Sequence, residues 1–294
     1  LSPLFACARG GAHHCCPYLA HHCTPALPWH HVFMATRPDT SDPGPFGTAL
    51  KAARNSRRVS QLVLSLDAGV SARHLSFLES GRAMPSRDMV LTLAEALALP
   101  LSARNQLLNA AGFASAYPAS PLSSEAIAPF RAILRTMMEN HAPFPALLCD
   151  RHWNVLEASP SAAAMLSPLL EGWSGPPNVF RLTACHPRAG DFIANLPEVL
   201  HESLERLALE QSLAGDDPVL ADLIAVTRAA AARYPYRTRT RSPVLPVSYR
   251  GPAGPLSFLS VVAQCGTSED VTVRDLRLEL LFPADEATRA AFAG

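Results

Sequence analysis

Between Phe46 and Phe113 the apolar residues recur every three or four positions in five short blocks, the period of helices with one buried face. From Phe46 to Asn55 this pattern leaves Lys51 and Arg54 on the exposed side. Ser60 stands where it can cap a second helix, with Leu62, Val63 and Leu66 as its apolar face. Gly69, in "DAGV", supplies the positive φ of a tight turn. Ser71 caps a third helix over Ala72–Glu79, which buries Leu75 and Leu78 and exposes Arg73, His74 and Ser76. Gly81 ends it, as glycine does at helix C-termini. Pro85 and Ser86 open a fourth helix with Val90, Leu93, Ala94 and Leu97 inward, and "SARNQLLNAAGF" supplies a fifth.

The pattern then changes. "SAYPASPLSS" (115–124) is a Ser/Pro-rich linker. "EAIAPFRAILRTMMEN" places Ile127, Phe130, Ile133, Leu134, Met137 and Met138 on one helical face, for packing on a neighbour. "ALLCD" and "NVLEA" read as short strands around the turn "DRHW", followed by a helix capped at "SPSA". Residues 188–234 read as helices. "SPVLPVSYR" and "PLSFLSVVAQCG" form a hairpin about "GPAG". Leu276, Leu278, Leu280 and Phe282 alternate with Arg277 and Glu279, the two-residue period of a half-buried strand. The predicted fold is multidomain: an all-α five-helix unit over 46–114, a linker over 115–125, and an α+β domain over 126–289.

Charge sharpens this division. The formal net charge of the 294 residues is zero, but 46–113 hold eight basic and four acidic residues, and 114–294 hold fifteen Arg and nineteen acids. A basic unit joined to an acidic one suits a polyanion binder attached to something else. No apolar run is long enough to span a bilayer and no signal peptide is evident, so a cytoplasmic protein with no membrane partner is expected. Cys149, Cys185 and Cys265 are then expected as buried, reduced thiols. Before Met34 the segment "HHCCPYLAHHC" packs His and Cys together, but without a C-x-x-C pair or finger-type His spacing. We read 1–33 as a leader outside the natural protein or disordered, 34–45 as a disordered lead-in, and expect no metal; a metal or redox sensor is the competing reading of the leader.

The stretch "SQLVLSLDAGVSARHLSFLESGRAMPSRDMVLTLAEAL", a cap–helix–glycine–cap–helix centre, resembles the lambda-repressor-like or Cro/C1-type (XRE) helix-turn-helix DNA-binding domain. The resemblance implies that Ser71, Ala72, Arg73 and Ser76 face the major groove, with Arg73 reading a guanine. It also implies that Gln61 meets a phosphate at a helix start, and that Arg82, Arg87, Lys51 and Arg54 contact the backbone. Ala72 stands where the family often has Gln, so no operator follows from it. In the second half, "HAPFPALLCDRHWNVLEAS", "NVFRLTACHPRAGDFIANLPEVLHESLERL" and "CGTSEDVTVRDLRLELLFPADEAT" resemble the MmyB-like ligand-binding domain of transcription regulators, a PAS-like fold. That resemblance implies a bacterial regulator with a fatty-acid-like ligand in an apolar pocket. Arg181 and His186, with Arg206 as a further option, are head-group candidates, and Trp153, Phe192 and Phe258 would lie along the chain. Alternatively, Arg181 pairs with a nearby acid and His186 is a cap or core residue.

No catalytic pattern stands beside this. There is no G-x-S-x-G, P-loop or G-x-G-x-x-G, and "HESLE" ends in Glu205 where a zinc protease needs His. The expected function is a sequence-specific regulator of double-stranded DNA, not an enzyme, dimeric, with no cofactor beyond a possible bound fatty acid. The alternative is a DNA-anchored dimerisation or interaction module with no small-molecule ligand.

Overall fold

The computed structural model describes residues 43–214, 217–234, 245–251 and 254–292. The expectations for the leader 1–33, and for the lead-in up to 42, lie outside these residues, as do parts of the predicted hairpin.

Five helices form the first unit: α1 (Gly44–Ser56), α2 (Gln61–Asp67), α3 (Ala72–Glu79), α4 (Arg87–Ala96) and α5 (Leu101–Ala110). The α1 helix starts two residues before Phe46, within the stretch expected as lead-in. The hydroxyls of Ser60, Ser71 and Ser86 accept from the amides of Val63, His74 and Met89 at 3.1–3.2 Å, so three helix starts are capped as the sequence predicts. Gly69 (φ +66°) makes the α2–α3 turn in the left-handed region. Leu50, Leu64, Leu75, Leu78, Val90, Leu93 and Leu108 close the core. At Gly47 a Cβ would lie 2.7 Å from the Glu79 carbonyl oxygen, so glycine lets α1 seat directly on the end of α3.

The predicted apolar face of α2 is wrong. Leu62, Val63 and Leu66 are exposed, and Leu64 with Ser65 face the core. A seven-residue helix has too few turns for periodicity to choose between Leu62/Leu66 and Leu64.

The first part of the segment expected as a linker is tied to both domains. Asn105 Oδ1 accepts from Ala116 and Tyr117 amides at 3.0 and 3.1 Å, and Val271 N–H donates to Pro118 O at 2.8 Å. After it come α6 (Ala128–Asn140), β1 (Ala146–Cys149), β2 (Val155–Ala158), α7 (Pro160–Leu170), α8 (Val179–Cys185), α9 (Ala189–Phe192), α10 (Leu196–Ala214) and α11 (Pro218–Ala231). The chain closes with β3 (Val247–Gly251), β4 (Gly254–Ala263), α12 (Val271–Asp275), β5 (Arg277–Pro283) and α13 (Glu286–Ala291). The strands pair antiparallel in the order β2-β1-β5-β4-β3.

The register decides which side chains meet. Leu148 and Leu278 face α6 and pack with Leu134 and Met138. Leu147 and Cys149 face the other way, toward α7, α8, α10 and α11. Both faces of the central strands are therefore covered. This corrects the half-buried reading of β5: Glu279 is buried and Arg277 half-buried, while Phe282 at the strand end is exposed. Only part of the α6 stripe packs inward; Ile133 and Met137 stay exposed. Among the cysteines in the described residues, Cys149 is buried, Cys185, the last residue of α8, is exposed, and Cys265, in the loop after β4, is partly so.

Candidate DNA interface and ligand cavity

The third helix presents its N-terminal end to solvent. Ser71, Ala72 and Arg73 are exposed and Ser76 half-buried, and the Arg73 guanidinium sits 5.3 Å from the Phe77 ring centre. Lys51, Arg82 and Arg87 are also exposed. Lys51, Arg73, Arg82 and Arg87 thus hold their charge at the surface, as contact with a phosphate backbone requires.

Two other predicted contacts are turned inward. Arg54 is buried: its Nε and Nη2 donate to the two Glu79 oxygens at 2.6 and 2.9 Å, and Nη1 donates to Val59 O at 2.9 Å. Its expected role on phosphate is therefore corrected; it spans α1, the following loop and the end of α3. The Gln61 amide donates to Glu79 Oε2 at 2.7 Å, so its nitrogen is committed as well. Burial pushes the Glu79 carboxyl up, but hydrogen bonds from Arg54 and Gln61 and the charges of Arg54 and Lys51 outweigh it. The carboxyl is held below its usual range. Helical spacing placed Arg54 on the outer face because the sequence does not announce its partner twenty-five residues later.

Between the sheet and the helical layer lies a cavity of about 620 Å³. That volume suits a small-molecule site. Its walls are Leu147, Val262 and Leu281 from the sheet, Met165, Leu166 and Leu169 from α7, Val179, Phe180 and Leu182 from α8, and one side of α10. A polar end is formed by Arg206, Glu202, Glu205, Ser260 and Glu279. The Arg206 guanidinium lies 3.9 Å over the Trp153 ring, a cation–π contact. Its carboxylate neighbours stand at 3.7 Å (Glu279) and 3.9 Å (Glu210), ion-pair distances longer than hydrogen bonds. Trp153 Nε1 donates to Glu210 at 3.0 Å, and Arg277 donates to the other Glu210 oxygen at 3.2 Å. Burial, and then the Glu279 charge, push the Tyr249 hydroxyl up, so it stays a donor in the wall. Burial likewise pushes up the Cys149 thiol, which disfavours its thiolate.

None of the five predicted ligand residues lines this cavity. Trp153 is fully buried beneath Arg206, and Phe258 is fully buried in the core against Tyr249 and Phe292. Arg181 turns away to Asp222. His186 is the buried C-cap of α8, with its ring 6.3 Å from that of Trp173, and Phe192 stacks under Arg188 at 5.0 Å. Arg206 lines the cavity directly. Glu279, Ser260 and Tyr249 escaped the sequence reading. The signal for Glu279 was a carboxylate flanked by Leu278 and Leu280 in a mostly apolar strand.

Among the described residues no cluster of three metal-binding side chains occurs, and no helix is long and apolar enough to cross a membrane. A helix-turn-helix unit with an exposed basic third helix, joined to an α+β domain with a cavity that opens to solvent along α10, defines a DNA-binding regulator with a ligand-binding domain. Comparison with known families agrees. A family model described as MmyB-like transcription regulator ligand binding domain matches residues 130–293, and one described as helix-turn-helix matches 50–103. The first covers over half of the chain, which belongs to the MmyB-like transcription regulators. These families are those of a regulator, not an enzyme. No curated protein matches the chain.

Proposed function

We propose that the chain is a ligand-responsive homodimeric regulator whose cavity takes a fatty-acid-like molecule. The observation that carries this is an apolar cavity with Arg206 at its polar end, hydrogen-bonded to none of its acidic neighbours. A carboxylate head accepts from such a guanidinium bidentately. Burial pushes the Glu202 carboxyl up, Arg206 opposes this and Glu205 adds to it. The cavity supports this reading over the ligand-free interaction module. The dimer reading is supported by Ile133 and Met137 on α6, with Val261 and Phe282 on the sheet face that α6 covers, all four exposed. Pairing of two such faces removes them from water. A two-fold dimer would read half-sites about one helical turn apart.

Titration of the full chain with sodium laurate, followed by isothermal calorimetry, tests the ligand. Laurate is expected to bind, and Arg206→Ala to weaken it by at least about tenfold, the loss of one charge-assisted hydrogen bond. Equal affinity of both proteins for laurate and for dodecanol would sink the head-group assignment. For the DNA side, Arg73→Ala is expected to cost about 1–3 kcal/mol of discrimination on a duplex that the wild-type chain selects from a random pool. Arg82→Ala should instead lower the salt slope by about 0.9 with discrimination intact. An unchanged ratio of selected to scrambled binding in Arg73→Ala would remove Arg73 from base reading.

A further inference from the structure

We infer that Arg57 couples the ligand cavity to the DNA-binding unit by gripping the end of α10. The inference rests on the cavity being the ligand site. The α10 helix runs nineteen residues and lends Val199, Ser203, Arg206 and Leu209 to the cavity wall at helical spacing. Five residues past Leu209 the helix ends at Ala214, where the last carbonyls have no helical N–H to accept from. Arg57, the C-cap of α1, supplies the donors. Its Nη1 donates to Ser212 O at 3.0 Å and its Nη2 to Leu213 O at 2.6 Å. The same Nη2 donates to Ala98 O at 2.8 Å, in the turn between α4 and α5. One guanidinium thus holds together the end of a cavity wall and a turn of the helix-turn-helix unit.

The residue type suits the task. A planar fork of five donors serves several carbonyls at once, and a cation complements the negative end of a helix. A second arginine bridges in the opposite direction. Arg151, from the β1–β2 turn, donates to Ser102 Oγ at 2.9 Å in the first turn of α5, and it pairs with Asp217, the N-cap of α11. The end of α10 and the start of α11 are therefore each tied to an arginine that reaches across to the other domain. A ligand that shifts α10 must change these contacts. That gives two arrangements of the chain different affinities for the ligand, as coupling requires.

Hydrogen exchange on the full chain tests this, in wild type, Arg57→Gln and Arg57→Lys, each with and without sodium laurate. Without laurate, amides of residues 203–212 are expected to exchange roughly tenfold faster in Arg57→Gln, the equilibrium counterpart of one lost charge-assisted hydrogen bond, with Arg57→Lys between. An effect confined to residues 53–60 overturns the coupling, whatever the ligand does. With laurate, wild type is expected to gain protection in α10 and also in 97–102, and Arg57→Gln in α10 alone. Protection of α10 without any change at 97–102 in wild type overturns the coupling and leaves the cavity reading standing. No protection of α10 by laurate overturns the fatty-acid reading, and the laurate-free comparison still decides the coupling. Far-ultraviolet circular dichroism checks the fold; if Arg57→Gln loses helix, Arg57→Lys carries both comparisons.

Discussion

Replacing Glu79 by Ala is expected to destabilise the helix-turn-helix unit by about 3–5 kcal/mol, because it leaves the Arg54 guanidinium buried without its counter-charge. The pair is closed from water, with side-chain exposures of 10% for Arg54 and 4% for Glu79, so little solvent screening softens the loss. In a unit of this size such a cost lowers the melting midpoint by roughly 10 °C or more. It also reaches the DNA surface, since Glu79 is the last residue of α3 and Arg54 ties it to α1 and to Val59. Thermal unfolding of Glu79→Ala, Arg54→Ala and the double variant checks the pair. The double variant should lose less than the two single losses added together. Strict additivity, or single losses below about 1 kcal/mol, would show that the pair does not hold the unit together.

The same pair sets a pH dependence. The folded Glu79 carboxyl is held below its ordinary value of 4.5, so the stability it confers is complete above that value. It disappears as pH falls through the lower folded value. Acid unfolding of the helical unit should therefore begin below about pH 4.5 in wild type, and Glu79→Ala should flatten that limb of the curve.

The caps, the turn glycine and most of the core of the first unit were legible because each depends on a few adjacent residues: Ser60, Ser71, Ser86, Gly69, Leu75 and Leu78. What failed depends on distant partners. Arg54 looks exposed until Glu79 is placed beside it, and α2 is too short for its period to fix a face. In the second domain the strands and the resemblance were readable, but a cavity is a property of several elements at once. The reading therefore found Trp153 but favoured Arg181, whose partner Asp222 lies in a helix forty-one residues on, over Arg206. Strand β5 shows the same limit from the other side. Its alternation predicts one dry face, whereas α6 and the helical layer cover both, so Glu279 ends up inside.

Trp153→Ala is expected to cost the second domain about 3–5 kcal/mol, the range for emptying a large aromatic site, and to abolish laurate binding with it. Trp153 is 1% exposed and meets Phe180 edge-on at 5.5 Å. Two guanidiniums stack on its ring, Arg206 at 3.9 Å and Arg277 at 5.7 Å. Its indole N–H also fixes Glu210, which in turn holds Arg277. The backbone there is left-handed at φ +65°, an uncommon setting for a bulky residue, and the surrounding contacts are what keep it so. Alanine removes the ring and leaves Arg206 between Glu210 and Glu279 with nothing beneath it, free to close on either carboxylate. Trp153→Phe separates the effects: it keeps most of the packing and an aromatic face but loses the N–H. Its stability should fall by roughly 1–3 kcal/mol for the unsatisfied Glu210 oxygen, with laurate binding weakened but measurable. Full laurate affinity in Trp153→Ala, in a chain that still melts cooperatively, would mean that the head group is held elsewhere than at Arg206.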